Sequence, residues 1–432
     1  MKTGRRFAKS KDSRKDSLGF ESMQPSHGIK TQGIDLRIVF AEISIFKAFM
    51  KTLCIVVLFL SGIPLFGQTP KFKMQTIDDK VGIGYGVQLA DMNSDGKTDI
   101  LLVDKDKVAW YENPGWKKHI VVNHLTQRDH VCLTARDLNG DGRAELAMGG
   151  QWNPGDTLES GAVFYLSPNE SGKGIWNHHP LPHEPTTHRM HWVKGKGGVF
   201  YLIVKPLHGR GNKNNAGTPI KVLAYKIPDS PAKSPWETSL VCDFLHNSHN
   251  FHPVNWDSDE EEEILITGME GTWLIDQRKG KWKAKLIAKP FGGEVRDGKD
   301  AMGNHFVTTI EPRHGSVVAC YLKKKDSWDR VVLDTTLKDG HALGTGDFLG
   351  LGYDQVVAGW RAMRPSGEPG LKLFAPTDKT FRKWKEFKLS SKEIAVEDLK
   401  IADLDGDKRP EIIAAGRQTH NLVIFWNKSG NP

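Results

Sequence analysis

A chain of 432 residues with 38% hydrophobic residues, 44 Gly and 22 Pro has the profile of many short strands and turns. No stretch keeps the i, i+3, i+4, i+7 apolar spacing of long amphipathic helices. The net charge of +8 is inflated by the first fifty residues; beyond them the basic balance is mild and scattered, so no nucleic-acid partner is expected.

In chain order, residues 1–49 are rich in Lys, Arg and Ser and have little to build a core. They read as a disordered or untranslated extension. Met50-Lys51 then opens a short positive region, followed by the apolar run Leu53 to Leu60 and by Ser61, Gly62, Pro64 and Gly67. Residues 50–67 therefore predict a signal peptide, too short to span a bilayer, and a secreted mature chain with no membrane span. After it remain Cys132, Cys242 and Cys320, an odd set without CxxC or zinc-type spacing, expected to be buried free thiols.

Residues 68–432 repeat one pattern of strand, acidic turn, strand. The acidic turns are Asp91-x-Asn93-x-Asp95-Gly96-x-x-Asp99, Asp137-x-Asn139-x-Asp141-Gly142-x-x-Glu145 and Asp403-x-Asp405-x-Asp407-x-x-x-Glu411. Incomplete copies start near Asp257 and Asp347, and two more, around His191 to Val204 and Val295 to Ile310, lack the carboxylates. Trp116, Trp176, Trp236, Trp282, Trp328 and Trp384 each open a further strand, giving six outer strands for seven repeats. Phe72 to Ile77 supplies the seventh. This predicts an all-β, seven-bladed β-propeller closed by its N-terminal strand, which completes the last blade and leaves no open edge. The acidic turns resemble FG-GAP/VCBS repeats, the type also found in integrin α-subunit heads.

Carboxylates at positions one, three, five and nine suit the six to eight oxygen ligands of Ca²⁺. Structural calcium is expected at the three complete turns. The starts of first strands and ends of second strands then fall at the opposite face. They carry His130, His188, His249, His341, Arg296 and Glu397 in one register, and Trp152, His208, Arg210, Glu311, Arg313, His314, Trp360, Arg361, Arg417 and His420 in the other. Histidines and carboxylates converging at a channel mouth can hold a divalent metal such as Zn²⁺ or Mg²⁺, or act as acid and base. Arginines beside them suit an oxyanion or a developing enolate. His130, Trp152, Arg210, Trp360, Arg417 and His420 are expected on the substrate rim.

The segments Thr187-His188-Arg-Met-His191-Trp192, Lys205-Pro-Leu-His208-Gly-Arg210, Gly293-Glu294-Val-Arg296, Glu311-Pro-Arg313-His314-Gly315, Asp339-Gly-His341 and Gly-Trp-Arg361 resemble the propeller domain of aldos-2-ulose dehydratase/isomerase, without its cupin domains. The resemblance implies a metal-containing pocket that dehydrates a keto-sugar, a small carbohydrate. Elimination beside a carbonyl needs a base, positive charge for the enediolate and an acid for the leaving hydroxyl. His188, His249 and His341 are expected to supply metal ligands and base, with Glu311 or Glu397 completing coordination. Arg296, Arg313 and Arg361 would bind oxyanions, and His208 or His314 would be the acid. Other readings are a polysaccharide lyase or keto-glycoside-cleaving enzyme, and a non-catalytic carbohydrate- or protein-binding propeller.

Overall fold

The strand, acidic turn, strand repeat folds as the first hairpin of a four-stranded antiparallel blade. The computed structural model describes residues 69–169, 174–278, 280–362 and 367–430; the expected extension and signal segment lie outside the described residues. Seven such blades are present. Their innermost strands are Gly86–Ala90, Cys132–Arg136, Thr187–Lys194, Phe251–Val254, Glu294–Lys299, Gly340–Gly346 and Val396–Ala402. In the seventh blade Phe72–Asp78 pairs antiparallel with Asn421–Asn427, from Phe72 opposite Asn427 to Asp78 opposite Leu422. The ring is closed by the N-terminal strand as expected.

Burial explains why the strands read differently in sequence. Second strands such as Asp99–Val103, Gln355–Trp360 and Glu411–Gly416 are buried at every residue, because neighbouring blades cover both of their faces. They are near-continuous apolar runs. Outer strands such as Trp384–Ser390 keep exposed Lys and Glu between half-buried aromatics. Blades meet closely: a Cβ on Gly359 would lie 2.6 Å from the Val396 side chain. A latch seals the junction of last and first blades, with the Val81 N–H donating to the His420 carbonyl at 3.0 Å and His420 Nδ1 3.0 Å from the Val81 carbonyl. Cys132, Cys242 and Cys320 are buried free thiols. Among the described residues no helix is long and apolar enough to cross a membrane.

The acidic turns share one backbone plan. Asp91 Oδ2 accepts the Gly96 N–H at 2.7 Å, Asp137 Oδ2 the Gly142 N–H at 2.9 Å, and Asp403 Oδ2 the Lys408 N–H at 2.8 Å. That sixth residue has positive φ, +79° at Gly96, +83° at Gly142 and +67° at Lys408, which glycine adopts without strain and lysine does not. The ninth residue folds back: Asp99 accepts the Met92 N–H, Glu145 the Leu138 N–H and Glu411 the Leu404 N–H. In the fourth blade Glu263 accepts the Trp256 N–H in the same way, so Asn255 holds position one and Asp257 position three. The sixth-blade turn keeps Asp347 bound to the Gly352 N–H at 2.7 Å, yet carries Leu349 and Leu351 between them.

Candidate active site

The propeller sets the direction of each inner strand, so its start and the end of the neighbouring second strand reach the same end of the channel. Three imidazoles meet there. His249 precedes the first strand of the fourth blade, His341 opens that of the sixth, and His314 lies in the turn after the second strand of the fifth. Their ring centroids are 4.7 Å apart in each of the three pairs. One ligand atom from each lies within 4.8 Å of the others.

The outer nitrogens of these rings are held. His249 Nδ1 is 2.7 Å from Glu294 Oε1, and His341 Nδ1 is 2.6 Å from the Glu397 carbonyl. His314 Nδ1 is 3.3 Å from Arg361 Nη2 and 3.6 Å from Asp339 Oδ1. Nε2 of His249 and His341 is thereby left for the cluster, and His314 Nε2 is buried with no hydrogen-bond partner. Carboxylate or carbonyl behind a histidine is the arrangement that orients metal ligands. Burial, reinforced by neighbouring imidazoles and arginines, holds all three well below the usual histidine pKa, His314 at about 2. His249 and His341 are neutral at pH 7 with their Nε2 lone pairs available. His314 offers its Nε2 lone pair only in the tautomer that carries Nδ1–H toward Asp339 instead of accepting from Arg361. Three nitrogen donors fit Zn²⁺ or a similar transition metal; Mg²⁺ prefers oxygen.

His188 stands beside the cluster rather than in it. Its ring is 4.7 Å from His249 and 4.9 Å from Trp152, and its Nδ1 is 3.0 Å from the His249 carbonyl. A carbonyl only accepts, so Nδ1 carries the proton and Nε2 the lone pair. Glu397 is buried between Arg361 at 3.0 Å and Arg417 at 2.9 Å, with Oε1 4.0 Å from His341 Nε2. Arg361 is fully engaged, adding both oxygens of Asp339 at 3.0 Å. Among the described residues Arg313 has only a 3.4 Å contact with Asn247 Oδ1. Arg313, His314, Asp339 and Arg361 line a pocket of about 770 Å³ on this face.

Several expected positions lie elsewhere. Glu311 does not reach the cluster: it accepts from Thr309, Tyr321 and Arg330, the last at 2.6 Å. Arg296 donates to the Val295 carbonyl and lines a cavity at the other end of the channel. Trp360 is buried in the blade packing with its indole N–H on the Glu368 carbonyl, His130 is fully buried, and His420 is used in the latch. Arg210 is exposed and paired with Glu184 at 3.3 Å. Burial, with Arg313 and Lys205, lowers His208 to about 4, and His314 lies lower still. Neither is a ready proton donor at pH 7. The sequence places Glu294 at the channel mouth and Asp339 beside His341, but assigns neither a role in the site. Glu294 occupies the first-strand register that carries histidine in other blades, a signal that was legible; the reach of Asp339 to Arg361 was not.

The acidic turns are at the opposite face. Asp403, Asp405 and Glu411 converge, as do Asp257, Asp259 and Glu263. Burial, together with nearby acids, raises Asp99 to about 6 and Glu263 and Glu411 to about 7. A divalent cation would relieve that like-charge crowding, and the all-oxygen donors fit Ca²⁺.

Residues 91–148 match the model of the FG-GAP-like repeat. No curated protein matches the chain. Among solved structures, one titled for specific recognition of non-reducing terminal N-acetylglucosamine by an Agrocybe aegerita lectin is 13% identical, covers 72% of this chain and 81% of its own, and has a TM-score of 0.43. A structure of the mitotic checkpoint complex is 11% identical over 84% of this chain and 92% of its own, with a TM-score of 0.53. At that identity the second likeness concerns the fold alone.

Proposed function

We propose that this FG-GAP-repeat β-propeller is a secreted, metal-dependent carbohydrate lyase that eliminates water from a keto-sugar. Its support is the trio of buried His249 and His341 with half-buried His314, each with its outer nitrogen held, beside a pocket of about 770 Å³. The buried His314 Nε2 has no hydrogen-bond partner among the described residues, a desolvated polar atom that a ligand in the cluster would satisfy. Export follows from residues 50–67, and calcium at the opposite face is structural.

His249, His314 and His341 would hold the metal, which when bound supplies Lewis-acid polarisation of a substrate carbonyl. His188 Nε2, unprotonated because Nδ1–H is fixed on the His249 carbonyl, accepts the proton α to that carbonyl. The C–H electron pair first forms the enolate, its charge on the former carbonyl oxygen; as the carbonyl re-forms, that pair becomes the new C=C bond and the β C–O bond breaks. The proton held on His188 is then available to the departing hydroxyl, so that enone and water leave. Arg313, the least engaged guanidinium on the pocket wall, stabilises the oxyanion formed in between. Trp152 packs against His188 with the two rings tilted by 40° and keeps the imidazole in place.

The test is a screen of oxidised sugars, with the metal-loaded chain, for the ultraviolet absorbance of an enone. Turnover that disappears on chelation supports the reading. Absence of turnover on every keto-sugar and uronate overturns it, and calcium-dependent sugar binding without turnover would favour a binding propeller.

A further inference from the structure

The channel has a second chamber at its acidic-turn end, a cavity of about 370 Å³ between the later residues of the inner strands. That volume lies within the range of small-molecule pockets. Its walls include Arg136, His191, His252, Arg296 and Lys400, with Gln88, Thr134 and Thr345 among the polar neighbours, and among the described residues no Asp or Glu lines it. Toward the histidine trio, around Arg189, Asn250 and Asp398, free space falls to about 20 Å³. The chamber is therefore separate from the proposed active site.

Its charges are not all compensated. Arg136 is neutralised by Glu262 at 2.7 Å, and His252 lies 3.3 Å from Asp297, which also holds His305 at 2.9 Å. Lys400 is different: the Asp398 carboxylate is 4.0 Å away, and its nearer oxygen already accepts the Val87 N–H at 2.8 Å. Arg296 likewise has its carboxylate, Glu294, only at 4.0 Å, with Glu294 bonded to His249 and Asn250. Burial and the neighbouring Arg296 also depress the Lys400 amine, a strain that a bound anion would relieve.

We propose that this chamber binds a small oxyanion (a carboxylate, sulfate or phosphate group) between Lys400, Arg296 and His191. The ligand is either a free inorganic anion or the acid group of a sugar acid. Calorimetric titration of the full chain with sodium sulfate, sodium phosphate and sodium glucuronate tests this. Saturable one-to-one binding of at least one of them is expected, weakening at least about tenfold in Lys400→Gln. An inorganic response points to the free anion, and a glucuronate-only response to a sugar acid. Lys400→Gln should keep the transition-metal content of the histidine trio, so this chamber and the lyase reading fail separately. Should that variant melt at a much lower temperature than the parent chain, His191→Gln carries the same comparison. No binding of any of the three, or equal affinity in the parent chain and the folded variant, overturns the proposal.

Discussion

At the acidic-turn face, four turns follow one local plan: a position-one Asp gathers backbone N–H groups, and the ninth residue returns to the loop. The fourth-blade turn keeps the return of Glu263, but its Asn255 donates to the Asp259 carbonyl instead. The sixth-blade turn folds this way with Leu349 and Leu351 in place of carboxylates, around Asp347 and Gly352. At the histidine face a register recurs, but the three rings that meet do not share one position. His249, His314 and His341 come from a pre-strand residue, an inter-strand turn and a first strand of three different blades. The difference teaches that regular motifs can be self-supporting scaffolding, whereas chemistry can sit where the repeats depart from one another. In the turns a missing carboxylate is tolerated because the backbone is satisfied from within. In the trio each ring depends on a partner from elsewhere: Glu294, the Glu397 carbonyl, or Arg361 with Asp339.

The sharpest way to break this contrast is to remove one imidazole. His249→Ala is expected to lower transition-metal occupancy and turnover by more than about 100-fold, because second-shell changes alone reach 10–100-fold. Calcium content measured on the same sample should not change. Glu294→Gln should come next, weakening metal affinity by about 10–100-fold in a chelator competition while the melting curve stays close to that of the parent chain.

On the other face Glu411→Ala strands the buried Leu404 N–H, now bonded at 2.8 Å. It should cost about 1–3 kcal/mol in denaturant unfolding and leave the histidine metal in place. Loss of that metal in Glu411→Ala would dissolve the proposed independence of the two faces.

The smallest effect concerns pH. Burial holds His208 at about 4 in the folded chain, below the roughly 6.5 of an unfolded histidine. The unfolded chain therefore binds more protons between those values, and the stability contributed by neutral His208 is complete above about pH 6.5 and declines as pH falls toward about 4. His208→Gln should make the melting temperature less steep across that window, the other depressed histidines keeping the rest of the slope. An unchanged slope would mean that His208 is solvated like an unfolded residue.

Much of the fold was legible from local chemistry. The spacing of Asp91, Asp95 and Asp99, and its copies, marks a strand, turn, strand unit, and the tryptophans opening the outer strands give the blade count. Phe72 to Ile77 could be assigned as the closing strand because a ring of seven inner repeats with six outer strands has one place unfilled. The histidine face was legible as a register, which follows from strand direction. Which members of that register meet was not. Glu311 and Arg296 sit at the expected positions, yet Glu311 turns to Arg330 and Arg296 to the far chamber, while His314 joins His249 and His341.

The sequence by itself determined the repeat, the blade number, the closure and the separation of an acidic face from a histidine face. Each of these depends on residues close in the chain, through turn hydrogen bonds and the two-residue period of strands. Tertiary structure alone decided the trio, its partners Glu294 and Asp339, and the carboxylate-free chamber around Lys400. Those arise where the ends of different blades converge on the central axis, and the angle at which one blade packs on the next is set by side chains far apart in the chain.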